Sequence, residues 1–121
     1  MSKYFDSEIP CHCGCGENNV DNELMLRLDA MREDYGEPIV ANSICRCRDH
    51  NRKVGGSPTS SHISDVLHKC QAADLKFPWE VTQRYKFLKS AMKMFSRIGV
   101  GKEFIHVDVD YLKAVPAQWG Y

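Results

Sequence analysis

The chain has 121 residues, of which 43% are hydrophobic, enough for one domain with a real core rather than a disordered tail. Sixteen basic and sixteen acidic residues cancel to a formal charge of zero, which argues against nucleic-acid binding driven by bulk electrostatics. No apolar run approaches the roughly 20 residues that span a bilayer, and Met1–Asp6 lacks the apolar core of a signal peptide. These features describe a protein made in the cytoplasm, with no nucleic-acid or membrane partner, expected to act as a monomer.

Residues 1–20 read as an irregular, Cys-rich arm that turns at Gly14 and Gly16. Asp21 can cap a helix running to Tyr35, with Leu24, Leu28, Met31 and Tyr35 on one face. Gly36 is a C-terminal stop, and Pro38 prevents continuation. Ile39–Ile44 reads as a short strand and 45–61 as a loop with a Gly-Gly turn. A second strand runs from Ala72 through Leu75 to Phe77. Pro78 suits the first turn of a second helix, whose apolar stripe is Val81, Tyr85, Leu88, Met92 and Phe95. Gly99 and Gly101 are expected to end that helix and turn the chain into a strand over Phe104–Val109. In the tail, Trp119 is expected near the site or the core. Helices set around short strands indicate an α+β fold in a single domain, 1–121.

Six cysteines are many for this length. Cys11, Cys13 and Cys15 form C-x-C-x-C, Cys45 and Cys47 form C-x-C, and Cys70 stands alone. The spacing differs from the common C-x2-C zinc knuckle. Three readings stay open: reduced packing or turn cysteines, which a cytoplasmic setting favours, a structural zinc site, or a disulfide.

The stretches that carry chemistry are Val54-Gly55-Gly56 through Ser61-His62, Ala72-Ala73-Asp74, and Phe104-Ile105-His106-Val107-Asp108. Two neutral imidazoles and one carboxylate suit Zn2+, and three protein ligands leave a position open, as in catalytic rather than structural sites. On strand alternation His106 and Asp108 share a face, so Asp108 can orient the imidazole of His106.

With Ser43-Ile44-Cys45-Arg46 through Asn51 added in front, these motifs resemble the zinc D-alanyl-D-alanine carboxypeptidase family, and more closely its small phage and bacterial members. The resemblance runs from about Phe5 to Tyr121 and rests on the number and order of motifs. It implies the Hedgehog/DD-peptidase fold, a small antiparallel sheet with flanking helices holding zinc on one face. It implies His62, Asp74 and His106 as ligands. The aspartate usually follows the first histidine by about seven residues; here Asp74 follows His62 by 12, so 63–70 resembles an insertion of about five residues. His68, inside that segment, is a rival ligand. Relatives often carry an acidic general base three positions before the last ligand, which is Glu103 here; Asp108 is the alternative. Strict alternation puts Glu103 on the face opposite His106, so the role requires the regular strand to begin after it. Arg46 matches the family's arginine and can grip a peptide carboxylate or oxyanion in bidentate fashion, with Arg48 as competitor. Asn51 is expected to brace the loop, while His12 and His50 read as structural or surface residues.

The resulting expectation is a zinc peptidase acting on peptidoglycan stem peptides, of carboxypeptidase or L-Ala-D-Glu endopeptidase type. An endolysin or virion-associated enzyme would reach the wall through a holin pore, a virion or lysis. The alternative is a non-catalytic zinc-binding virion or wall-binding module on the same fold.

Overall fold

The computed structural model describes residues 2–121. Five strands, β1 (Ala41–Ser43), β2 (Ala72–Lys76), β3 (Arg97–Val100), β4 (Phe104–Asp108) and β5 (Ala117–Gly120), form one sheet in the order β1-β2-β4-β3-β5. The pairings β1–β2, β2–β4 and β3–β4 are antiparallel, while β3–β5 is parallel. The α+β class holds, but the sheet is mixed rather than antiparallel. The reason is topological: β5 follows β4 in sequence and lies beyond β3 at the sheet edge.

Period-two alternation sorts the sheet into two faces. Ala73, Leu75, Ile98, Ile105 and Val107 join Leu24, Met25, Leu28 and Met31 of helix α1 (Asn22–Tyr35) and Phe87 and Ala91 of helix α3 (Val81–Met94) in one core. The other face carries Asp74, His106 and Asp108. Helix α1 forms where its signals put it. The Asp21 carboxylate accepts from Glu23 N–H at 2.8 Å, and Gly36, at φ +82°, closes the helix with its N–H on Arg32 O.

Helix α3 departs from expectation. Glu80 caps it by accepting from Thr82 and Gln83 N–H, so Pro78 lies outside the first turn. Val81, Tyr85 and Met92 of the expected stripe are exposed, whereas Phe87, Ser90 and Ala91 are buried. The buried face is the one against α1, where Tyr35 meets the Phe87 ring edge-on at 5.2 Å and the Ser90 hydroxyl bonds Asp34. Close helix packing selected small residues there, and Ser90 carries no hydrophobic signal.

Two strands and one helix were not expected. Gly99 lies inside β3 instead of turning the chain. A Cβ at Gly99 would fall 2.5 Å from Trp119 Nε1, so this glycine permits close approach of the indole from β5. Helix α2 (Arg48–Lys53) replaces part of the expected loop; only Asn51 of its six residues is buried, so it has no apolar stripe to reveal it.

The N-terminal arm is irregular apart from a 3-10 turn at Asp6–Glu8, yet it is docked. Phe5 is fully buried, and Ser2 Oγ and Lys3 N–H both bond the Asp29 carboxylate. Cys45 and Cys70 form a buried disulfide, so these two are neither free thiols nor, for Cys45, a partner of Cys47. No helix among the described residues is long and apolar enough to cross a membrane.

Candidate functional site

One cross-strand row sets the site. Ser43 stands opposite Asp74, Asp74 opposite His106, His106 opposite Gly99, and Gly99 opposite Trp119. Directly opposed residues share a face and stand close, so Asp74 on β2 and His106 on β4 meet, with His106 Nδ1 3.1 Å from Asp74 Oδ1. Bare Gly99 leaves room for the Trp119 ring, 5.5 Å from that of His106. Trp119 thus packs where the sequence suggested.

His62 comes from outside the sheet. Arg46 N–H bonds His62 O and Ser64 N–H bonds Arg46 O, both at 2.8 Å, pinning 62–64 beside Arg46. His62 Nδ1 lies 2.8 Å from Ile44 O. A carbonyl only accepts, so Nδ1 carries the proton and Nε2 presents a lone pair. That Nε2 is buried without a hydrogen-bond partner and lies 3.2 Å from Asp74 Oδ2. An imidazole lone pair facing a carboxylate oxygen is repulsive unless a cation sits between them. Burial pushes the His62 pKa down, against the pull of Asp74, so a proton is a poor candidate.

Ligand atoms of His62, Asp74 and His106 all lie within 4.8 Å of one another. The donor set, two nitrogens and a carboxylate, and the orphaned Nε2 fit a zinc ion. Asp74 is held well below the usual carboxylate range: burial raises it, but the hydrogen bond to the His106 imidazole outweighs that. For His106, burial lowers the pKa, while Asp108 and Asp74 outweigh it and raise the value.

Asp108 is fully enclosed and fully used. Oδ2 lies 2.8 Å from His106 Nε2, and Oδ1 accepts from Arg97 Nε at 2.6 Å and from Asp110 N–H at 3.1 Å. Burial opposes its charge, but His106 and Arg97 overcome this and lower its pKa. A carboxylate so engaged orients an imidazole; it is a poor proton acceptor.

Arg46 lies mostly buried at the wall of a cavity of about 380 Å³ that includes His62, Asp74 and His106. Its Nη1 donates to Asn51 Oδ1 at 3.1 Å and its Nη2 lies 3.7 Å from Asp74 Oδ2. Asn51 braces the loop, donating from Nδ2 to Ser57 O at 2.9 Å. A Cβ on Gly56 would fall 2.1 Å from Asn51 Oδ1 and 2.9 Å from Arg46 Nη1. Gly55, at φ +76°, makes the preceding turn.

Glu103 is not brought to this cluster. It lines a separate cavity with Phe77, Trp79 and Arg84, while the next residue, Phe104, lines the His62 cavity. Alternation continues through the start of β4, and Phe77 N–H bonds Glu103 O, fixing that edge. His68 lies on the surface with Nδ1 2.8 Å from Asp65 Oδ1, and Arg48 pairs with the same carboxylate, so neither rival reaches the site. Sequence reasoning missed Arg97 and Lys113, which both line the cavity. The Arg97 guanidinium stacks 4.9 Å from the Trp119 ring, and Lys113 Nζ bonds Thr59 O and Ser61 Oγ. Recognising β3 would have placed Arg97 on the face of Gly99; Lys113, in an irregular tail, carries no such signal.

The comparison of this chain with known proteins agrees with that chemistry. The family model described as Peptidase M15 matches residues 3–108, a span holding all three metal-binding candidates. No curated protein sequence matches the chain. A site of this donor type inside a match covering most of the sequence places the chain in the Peptidase M15 family, and so among the metallopeptidases.

Proposed function

We propose that the protein is a zinc peptidase that hydrolyses peptidoglycan stem peptides, with zinc held by His62, Asp74 and His106. The observation that carries the reading is the buried, unpartnered His62 Nε2 facing Asp74 at the wall of an open cavity. When bound, zinc supplies a Lewis acid for the scissile carbonyl and lowers the pKa of water to about 7.

The protein's own groups bind and orient. Arg46, Arg97 and Lys113 line the cavity, but Arg97 is paired with Asp108 and Lys113 with Asp110, which leaves Arg46 as the cation for an anionic peptide. Arg46 is the group best placed to take a peptide carboxylate, since Asn51 holds its guanidinium beside Asp74. Asp108 and Arg97 keep His106 Nε2 engaged, which leaves Nδ1 for the metal. Both a D-Ala-D-Ala carboxypeptidase and an L-Ala-D-Glu endopeptidase fit this binding logic. Access to the wall would come through a holin pore, a virion or lysis.

One observation favours a second reading, a zinc-dependent binder of wall peptides without turnover: Glu103 lies outside the cavity. The test is digestion of purified peptidoglycan of several chemotypes by the zinc-loaded chain, with mass spectrometry of the products. Released D-alanine or a cut stem supports the peptidase and assigns the bond. Retention on the sacculus without products supports the binder.

A further inference from the structure

The four cysteines outside the disulfide converge although the sequence separates them. Cys11, Cys13 and Cys15 lie on the N-terminal arm, and Cys47 stands at the start of α2. Their sulfur atoms all lie within 4.8 Å of one another. Cys11 Sγ is 3.4 Å from Cys13 Sγ, and Cys13 Sγ is 3.7 Å from Cys47 Sγ. A tetrahedral ion with Zn–S bonds of about 2.3 Å has sulfur–sulfur edges of about 3.8 Å. The observed spacings are close to that edge.

The backbone is arranged for thiolates. Cys47 N–H points at Cys11 Sγ at 3.4 Å, Glu17 N–H at Cys15 Sγ at 3.4 Å, and His50 N–H at Cys47 Sγ at 3.3 Å. A neutral thiol is a weak acceptor, whereas a metal-bound thiolate gains from such donors. An extended C-x-C-x-C would spread alternate sulfurs by roughly 6–7 Å along one face. Here Gly14, at φ +87°, and Gly16, at φ +83°, fold the arm instead, with Gly14 N–H bonded to Cys11 O at 3.3 Å.

We propose that Cys11, Cys13, Cys15 and Cys47 bind a second zinc ion, distinct from the one at His62, Asp74 and His106. Four thiolates fill the tetrahedron and leave no position for water, so the site is structural. Its consequence runs along the chain. Cys47 follows Arg46 directly and caps α2, which carries Asn51; Asn51 holds the Arg46 guanidinium and bonds Ser57. The ion clamps the arm to the segment that frames the cavity. This inference does not rest on the peptidase reading.

The test is zinc per chain in the purified full-length protein, read by elemental analysis, with cobalt substitution as the second readout. Wild type is expected to hold two zinc ions. His106→Ala is expected to keep one and, with cobalt, to show the intense near-ultraviolet thiolate-to-cobalt band. Cys13→Ser is expected to lose that band while keeping one metal. Should Cys13→Ser not fold, mercurial titration of the wild type decides: blocking the free thiols should release one zinc. A single zinc in the wild type, lost with His106→Ala, overturns the proposal. So does a Cys13–Cys47 disulfide in non-reducing peptide maps.

Discussion

His106 Nε2 and Asp108 Oδ2 face each other at 2.8 Å across a two-residue step of one strand, and the other oxygen of Asp108 is taken by Arg97. The carboxylate therefore fixes which imidazole nitrogen is left for a metal. Asp108→Asn keeps the shape but removes the charge that favours an Nε2–H donor. Zinc affinity, measured by competition with a chelating dye, should fall by about 10–100-fold. Arg97, left beside a neutral amide in a buried setting, should also lower the melting temperature. Unchanged affinity would remove Asp108 from the metal site's support.

Glu103→Gln separates family expectation from geometry. A general base is worth roughly 10²–10⁴-fold in rate. With Glu103 in the Phe77, Trp79 and Arg84 cavity, turnover of the zinc-loaded variant should stay within a few-fold of wild type. A loss on the scale of a general base, with zinc content intact, would mean that the start of β4 rearranges when substrate binds.

Much of the site was legible because its motifs are short and local. Asp74 and His106 sit in apolar strand runs whose alternation fixes their face, and α1 announces itself through Asp21, Gly36 and a regular apolar stripe. The failures share one cause: signals set by tertiary neighbours. Gly99 reads as a breaker until the Trp119 indole is seen to need its missing Cβ. Ser90 and Ala91 read as polar or neutral until α1 packs on them. Cys45 pairs with Cys70 across an intervening turn, helix and loop, which no local spacing encodes.

Gly56→Ala tests the brace behind Arg46. The added methyl would stand 2.1 Å from Asn51 Oδ1, so Asn51 or the loop must move. Overpacking of this kind costs about 1–3 kcal/mol. The melting temperature should drop, and the Michaelis constant for an anionic peptide should rise as Arg46 loses its hold. Gly55→Ala should destabilise too, through its positive φ, but with less effect on the Michaelis constant.

The metal-free protein should be most stable near the ordinary imidazole pKa of about 6.5. His106 has a folded pKa raised above that value, because Asp108 and Asp74 outweigh burial. Its contribution is complete below the unfolded pKa and is lost as pH rises through the folded one. His62 is shifted down by burial, so it must take up a proton on unfolding, and stability falls as pH drops below about 6.5. Asp74 and Asp108, both lowered, add a further loss at acidic pH as they protonate. Zinc reverses the alkaline side, because ligands must be deprotonated to bind it and proton competition fades as pH rises. Melting curves of chelator-treated and zinc-loaded protein from about pH 5 to 8.5 should therefore diverge with increasing pH. In His106→Gln, treated with chelator, the decline above about pH 6.5 should disappear. A metal-free wild type that grows steadily more stable across that range would show that His106 does not carry a proton between the two carboxylates.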